Sequence, residues 1–442
     1  MSVMSQIEVT RPLRPTPPWW SVLCAGFLKS DLHASMVIFA LSFVARCGVL
    51  VWLRPFGAEN FEPVNVAVSL ATTGHFANAF GLLATGPTAH VAPLHPFLLS
   101  LLYRLAGAGL GFSIAMHLLA IAVLSLQYAL LPYAARLLSL PRMAGVWSGL
   151  IAAAVPVRFW VETSGAQEHV LAGLACIALV PVTAAIFRRG EPNLLQSAGC
   201  GLGWGVAFLI SPVFMAVLAG LILVLPRRPR LSAVLVCCSA LAISPWVIRN
   251  YQVLGTLAPV RDNLGLELSV SNNDQATALL ERNVRMPGHR HPYSNLAEAL
   301  KMRAMGETAY YRLRQDEALR WIRDHPRRFL FLMSERIVFF WFNPVADVAK
   351  NFFLALLTLG GFWGIYLLYP RNRGSAWVLM AMWLTFQIPY FFVQVSPRYR
   401  FPIDWSFWLL SAYALWRFLR VRRRTSLQTL PRRERSDPVE TL

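Results

Sequence analysis

Charge is scarce in this chain, and acid is the scarcer sign. Only 14% of its 442 residues are charged, with 22 Asp and Glu against 41 Lys and Arg. A soluble domain carries about 25% charged residues, so a water-soluble globular fold is excluded. Cysteine is also sparse. Of the six, Cys47, Cys176, Cys200, Cys237 and Cys238 lie in or at the edge of apolar runs, and Cys24 just before the first. They show neither a disulfide framework nor metal-ligand spacing, and read as small buried apolar side chains. No P-loop, Rossmann fingerprint or Ser/His/Asp order stands out, and there is no internal repeat. No small-residue cleavage site follows the first apolar run, so that run is expected to be a retained helix.

Hydrophobic residues make up 56% of the chain, in runs near 20 residues that recur from end to end. This predicts an all-α polytopic membrane protein. Spans are expected near 32–53, 109–131, 144–160, 169–187, 231–248, 351–369, 376–393 and 403–419. The 199–225 run is too long for one span and breaks at Ser211–Pro212, so it reads as two short helices. The total is about ten transmembrane helices. Arg46, inside the first, is expected to snorkel outward.

The formal charge of +19 sits mainly in short clusters between apolar runs and in the C-terminal tail. That is the pattern of orientation signals and anionic-lipid contact, so the bilayer, and no nucleic acid, is the expected partner. With the N-terminus inside, Arg136/Arg142, Arg188/Arg189, Arg227/Arg228/Arg230, Arg371/Arg373 and Arg420–Arg424 all fall inside. The count works only if Pro93–Ala106 lies in the interface and does not cross. The organisation follows: a cytoplasmic segment 1–31, a membrane module 32–248 with a first outer loop 54–107, a large outer loop 249–350 with amphipathic helices, C-terminal spans 351–419 and a basic cytoplasmic tail 420–442. Within the large loop, Leu296–Met305, Thr308–Arg323 and Arg327–Phe342 read as helices.

The first outer loop holds more pattern than a connection needs. Glu59 and Glu62 open it, and a Gly/Pro/His-rich segment with His90 and His95 follows. Two nearby carboxylates can divide roles, one as base and the other as a hydrogen-bond or metal partner. They can equally be helix N-terminal acids favoured by the macrodipole. The same outer face carries Glu162 and Glu168, and the cations Arg249, Arg398 and Arg400. Guanidinium forks suit phosphate; an interfacial arginine also contacts lipid headgroups. His90/His95 or His289/His291 offer imidazoles to a divalent metal, or stand as polar loop histidines.

Several stretches resemble the C-type polytopic glycosyltransferases, in their bacterial branch (family 39). These are relatives of the polyprenyl-phosphate-mannose protein mannosyltransferases and of the lipid A aminoarabinose transferase. In the first loop the stretches are Glu59/Glu62, Val66-Ala67-Val68-Ser69-Leu70 with Gly74-His75-Phe76, and Gly86–Pro96 ending at Leu105-Ala106-Gly107. Beyond it are Ile248–Asn273, Glu317–Phe329 and Pro397–Ile403. The resemblance covers most of the chain to about residue 418. It departs in three ways: Glu stands where Asp is usual, Pro63 where an aromatic is common, and no large soluble domain follows the last helix.

The resemblance implies inverting sugar transfer from a polyprenyl-phosphate donor to an acceptor hydroxyl on a glycan, lipid or protein. The expected place is the periplasmic face of a bacterial inner membrane. Glu59 or Glu62 would take the hydroxyl proton. Arg249, Arg398 and Arg400 would hold the phosphate, Glu162 would be a second acid, and His90 and His95 would orient substrate. Arginines can handle a monophosphate leaving group without a metal, so a divalent cofactor stays open. The rival readings are a transporter or flippase of lipid-linked sugars and a non-catalytic envelope assembly protein. A transporter more often shows paired repeats and mid-membrane charge; here charge gathers at one face.

Overall fold

A computed structural model describes residues 30–57, 60–155, 162–188, 193–344 and 348–428, with side chains of the last segment to residue 420. The expectations for Glu59, Arg189, residues 1–29 and the tail beyond 428 lie outside the described residues. The described residues form helices and turns; the only β pairings among them are the isolated bridges Ala77–Pro87 and Leu279–Val395.

The protein is all-α and polytopic. Among the described residues, six helices are long and apolar enough to cross a bilayer: Asp31–Leu53, Leu110–Leu137, His169–Arg188, Pro229–Leu254, Val348–Leu368 and Arg373–Phe392. Four shorter or more polar helices pack among them and overlap the other expected spans: Arg142–Ala154, Leu194–Ile210, Val213–Val224 and Asp404–Gln428, with residues 156–160 of the expected 144–160 span outside the described residues. The break at Ser211–Pro212 is where sequence placed it, because Pro212 cannot donate to the preceding turn. Side chains such as Trp52, Leu223 and Trp363 point outward, as a surface facing lipid chains requires. The main core runs through the bundle, with Trp204, Trp405, Phe214, Phe386 and Phe407 fully buried.

The bundle has two unlike ends. At one, Arg136 and Arg142 both pair with Asp31, at 2.9 and 2.7 Å, and Arg188 donates to Ser375 at 2.9 Å. At the other, two loops meet. The first forms helices Glu62–Thr73 and Leu94–Ala106, packed on each other. The second forms Leu264–Ser271, Leu296–Met305, Glu307–Asp324 and Pro326–Trp341. A separate small core of Val66, Phe80, Val91, Leu266, Met302 and Tyr311 seals one loop to the other. Within the second loop, Gly265 lets Leu264–Ser271 lie close on Glu307–Asp324: a Cβ there would collide with the Tyr311 carbonyl. Arg336, fully buried, clamps the same region by donating to Asn272 at 3.1 Å, Phe392 at 3.0 Å and Ser271.

Arg46 departs from expectation. It is fully buried and paired with Glu162 at 2.8 Å. It also donates to Ala153 O at 2.8 Å and Ala152 O at 3.1 Å. Those are the last carbonyls of Arg142–Ala154, which have no intrahelical partner. An acid at matching depth and a helix end to cap hold the guanidinium inside.

Candidate functional site

Glu62 is the first residue of its helix, preceded by an extended Phe61 and followed by Pro63. A proline in the first turn loses no hydrogen bond there, so the sequence fixes where the helix starts and aims Glu62 at the junction of the loops. Around it gather Glu168, Glu267, Arg261 and Arg398, each acting on it or on one another electrostatically. Arg261 reaches Glu168 at 3.4 Å and donates to the His90 carbonyl at 2.8 Å. Arg398 stacks on Tyr399 with its guanidinium carbon 5.2 Å from the ring centre.

The three carboxyls do not behave alike. Burial raises Glu62 above the usual range, against the pull of its own backbone, Arg398 and Arg261. Burial likewise raises Glu267, with Arg261 opposing. At Glu168 burial is outweighed by Arg261, backbone hydrogen bonding, His95 and Arg398, and its pKa falls. Arg398 stays firmly cationic: burial works against its charge, while Tyr399, Glu62 and Glu168 outweigh it. Neighbouring acids pushed apart in pKa are the arrangement that separates a base from a fixed anion.

Residues 88–90 are held at nearly every polar atom. Glu307 accepts from the Thr88 hydroxyl at 2.5 Å and the Ala89 amide at 2.6 Å. Arg249 donates to Thr88 O at 2.7 Å, and the Asp262 amide to Ala89 O at 3.0 Å. The His90 amide donates to Thr88 Oγ1 at 2.9 Å, and the His90 Nδ1 lies 2.8 Å from the Tyr311 hydroxyl. Burial lifts the Glu307 carboxyl to about 7 despite its hydrogen bonds from Thr88 and Ala89.

This fixation brings His90 beside His291 and Glu62, whose candidate donor atoms lie within 4.8 Å of one another. Burial depresses His90 well below its ordinary value, helped by Arg261 and His291, and pushes His291 down to about 3. Two neutral imidazoles and a carboxylate suit zinc or a related divalent ion. At His90 the Nδ1–Tyr311 contact orients the ring as an outer partner does at metal sites. His291 Nδ1 accepts from the Tyr293 amide at 3.1 Å, so in the neutral ring Nε2 carries the proton and offers a lone pair to a metal only after a tautomer change that gives up this bond. In type and spacing the set fits a divalent metal.

The residues predicted from sequence divide accordingly. Glu62, His90 and Arg398 meet in a charged recess at the loop junction, where Glu62, Glu168, Arg261 and Arg398 are all only part-buried. His95 is buried at its edge, with Nε2 3.1 Å from Gly165 O, and burial lowers its pKa. Glu162 pairs with Arg46. Arg249 lies between the rings of Phe76 and Trp246 and donates to Phe76 O at 2.9 Å. Arg400 is buried, pairing with Asp404 at 2.8 Å and donating to Trp341 O and Thr358 Oγ1, each at 2.7 Å. Arg261, Glu267, Glu307 and Tyr311 were not singled out by sequence. The first two sit inside the Ile248–Asn273 stretch that carried the resemblance; the other two had no signal beyond helical polarity.

Fold and recess together define a class: a polytopic helical membrane protein with a charged recess roofed by a large loop at one end. No protein-family profile and no curated protein matches the chain. Among solved structures it is similar to the oligosaccharyltransferase of Archaeoglobus fulgidus. With that enzyme tethered to an acceptor peptide containing the NVT sequon, the TM-score is 0.56 at 14% identity, covering 90% of this chain and 51% of the other. With AglB of the same organism, in complex with an inhibitory peptide and a dolichol-phosphate, it is 0.53 at 14% identity, covering 90% and 52%. ArnT from Cupriavidus metallidurans, bound to undecaprenyl phosphate, gives 0.42 at 12% identity, covering 92% and 81%. The chain spans about half the length of the archaeal enzymes, and the likeness is one of fold, as the polytopic glycosyltransferase resemblance anticipated.

Proposed function

We propose that the protein is a membrane glycosyltransferase moving a sugar from a polyprenyl-phosphate donor to an acceptor hydroxyl, with inversion, at the outer face of a bacterial inner membrane. The observation that carries this is the recess in which Glu62 is raised in pKa while nearby Glu168 is lowered, with Arg261 and Arg398 acting on both and Arg261 3.4 Å from Glu168. The basic turns at the opposite end favour the recess facing outward.

Glu62 takes the acceptor proton. The acceptor oxygen then forms its bond to the anomeric carbon from the face opposite the phosphate. The sugar–phosphate C–O bond breaks, and its electron pair leaves on the polyprenyl phosphate. Arg398 and Arg261 stabilise the charge that grows there. A solvated carboxylate is a weak base; burial makes Glu62 a stronger one at no change of residue type. A bound divalent metal would be held by Glu62, His90 and His291 and would supply Lewis-acid polarisation; a carboxylate so held would no longer be free to act as base, so metal binding at this set and proton removal by Glu62 are alternatives. A cavity of about 1020 Å³ adjoins this loop, lined by Phe97, Leu209, Ala242, Pro245, Trp246 and Arg249. Its apolar walls and single guanidinium suit the lipid chain. That AglB holds a dolichol-phosphate supports the same donor class here.

The test is sugar transfer in membranes whose polyprenyl-phosphate sugars carry a metabolic label, at matched expression of wild type and Glu62→Gln. Loss of about 10²–10⁴-fold is expected for a general base. Transfer within threefold of wild type removes the catalytic role and moves the transporter or assembly reading ahead. Chelator treatment with metal add-back tests the second part: unchanged transfer after chelation takes the metal out of the site.

A further inference from the structure

The bundle end opposite the recess carries a second concavity of about 620 Å³. It is walled by the 139–141 turn, the turn at Arg371 and Asn372, and the side chains of Tyr413, Trp416, Arg417 and Arg420. Close packing creates it. Val348–Leu368 lies against Asp404–Gln428 so tightly that a Cβ at Gly361 would strike Phe407 and one at Gly364 would strike the Leu410 carbonyl. Beyond Leu368 the first helix ends and turns away while the second runs on, which leaves a gap between them. The gap is stiffened from the side: Asn372 Nδ2 donates to Leu138 O at 3.1 Å, and the Ser375 hydroxyl to the same oxygen at 2.6 Å.

Three guanidiniums line the gap, and among its lining residues there is no carboxylate. Arg417 and Arg420 are three apart on one helix and share a face; Arg371 comes from the facing turn. Arg420 lies over the Trp416 ring at 4.8 Å, and Arg371 is steadied by donating to Leu367 O at 3.1 Å. An arginine that serves only to orient spans needs no walled recess and no second or third partner. Convergent arginines present planar forks to phosphate oxygens. The surroundings decide the source of that phosphate. Leu415, Phe418 and Leu419 are 45%, 53% and 40% exposed beside the gap, and a tryptophan and tyrosine sit at its depth, as at a headgroup boundary.

We propose that this recess binds the phosphate of an anionic glycerophospholipid headgroup, one lipid per chain, in the leaflet opposite the charged outer recess. It is independent of the transferase reading.

The test is native mass spectrometry of the full chain, purified in detergent and titrated with phosphatidylglycerol, phosphatidylcholine or soluble glycerol phosphate. Wild type is expected to retain one phosphatidylglycerol in preference to phosphatidylcholine. Removing a basic residue near a lipid surface weakens binding about five-fold, so Arg371→Gln with Arg417→Gln is expected to lower occupancy about 25-fold. Arg371→Lys with Arg417→Lys, which keeps the charge but not the fork, should bind between wild type and the Gln pair, and its unchanged melting temperature serves as the folding control. Arg227→Gln with Arg230→Gln, at a basic turn outside the recess, should leave it unchanged. Equal retention in wild type and the Gln pair overturns the site, as does equal loss in the 227/230 control or equal retention of phosphatidylcholine. Displacement of the lipid by glycerol phosphate at matched concentration overturns the lipid source and assigns a free phosphate instead.

Discussion

Two charged regions of this protein are built on opposite plans. Inside the bundle, Arg46 spends its donors on Glu162, Ser42 and two helix-terminal carbonyls, and Arg400 on Asp404, Trp341 and Thr358. In the recess, Arg398 rests on a tyrosine ring, and among the described residues no carboxylate lies within ion-pair distance of it. Arg398 and Arg400 belong to one short 3₁₀ turn, Pro397–Ile403, yet one is sunk into packing and the other left facing three acids. An arginine whose donors are committed to buried protein partners holds structure; one that meets acids only beyond ion-pair distance can hold a ligand. The difference teaches that residue type does not separate the two roles, while burial and committed partners together do.

Removing one partner of the saturated pair should have the largest effect on folding. Glu162→Ala leaves Arg46 buried without its anion, and breaking such a pair destabilises by about 3–5 kcal/mol, read as a lower melting temperature in detergent. Replacing both partners by apolar residues, Arg46→Met with Glu162→Leu, should recover only part of the loss. The Ala152 and Ala153 carbonyls would lose their donors, each worth about 1 kcal/mol. Full recovery would show that the helix cap is incidental.

The same turn gives the sharpest contrast. Arg398→Ala is expected to lower sugar transfer about 10²–10³-fold, the range for one preorganised charge-stabilising group, with little change in melting temperature. Arg400→Ala should do the reverse, lowering stability by removing the guanidinium that pairs with the buried Asp404 at 2.8 Å. If the two variants lose stability and transfer in the same proportion, the division between structural and ligand-holding arginines fails.

The membrane helices were legible in sequence because a span is a local property: length and hydropathy suffice. Leu296–Met305 and the Ser211–Pro212 break came out where predicted for the same reason. The recess was legible only in part. Glu62 sits at a helix start that Pro63 marks, and Arg398 is in a conspicuous basic turn. Arg261 and Glu267 act through partners that are distant in sequence and leave no periodic trace. The histidine pairing shows the limit best. Spacing offered His90 with His95 or His289 with His291, whereas the fold joins His90 to His291 across the two loops. Arg46 was misplaced because its acid, Glu162, lies at the end of another span.

The smallest expected effect probes how the two loops stay joined. Glu307 has its folded pKa raised from 4.5 to about 7. Its protonated form is therefore favoured by folding, and the stability it contributes is complete below about pH 4.5 and lost as pH rises through about 7. The loop junction should accordingly loosen between pH 5 and 8, read by amide exchange at residues 88–90 and 307–311. Glu307→Gln stays neutral at every pH and keeps one acceptor for the Ala89 amide. It should flatten that dependence and shift the melting temperature by only a few degrees, about 2–4 °C per kcal/mol for a chain of larger size. Exchange that rises with pH as steeply in the Gln variant as in wild type, after correction for intrinsic rates, would assign the pH response to another group, Asp262 first, since burial raises its pKa as well.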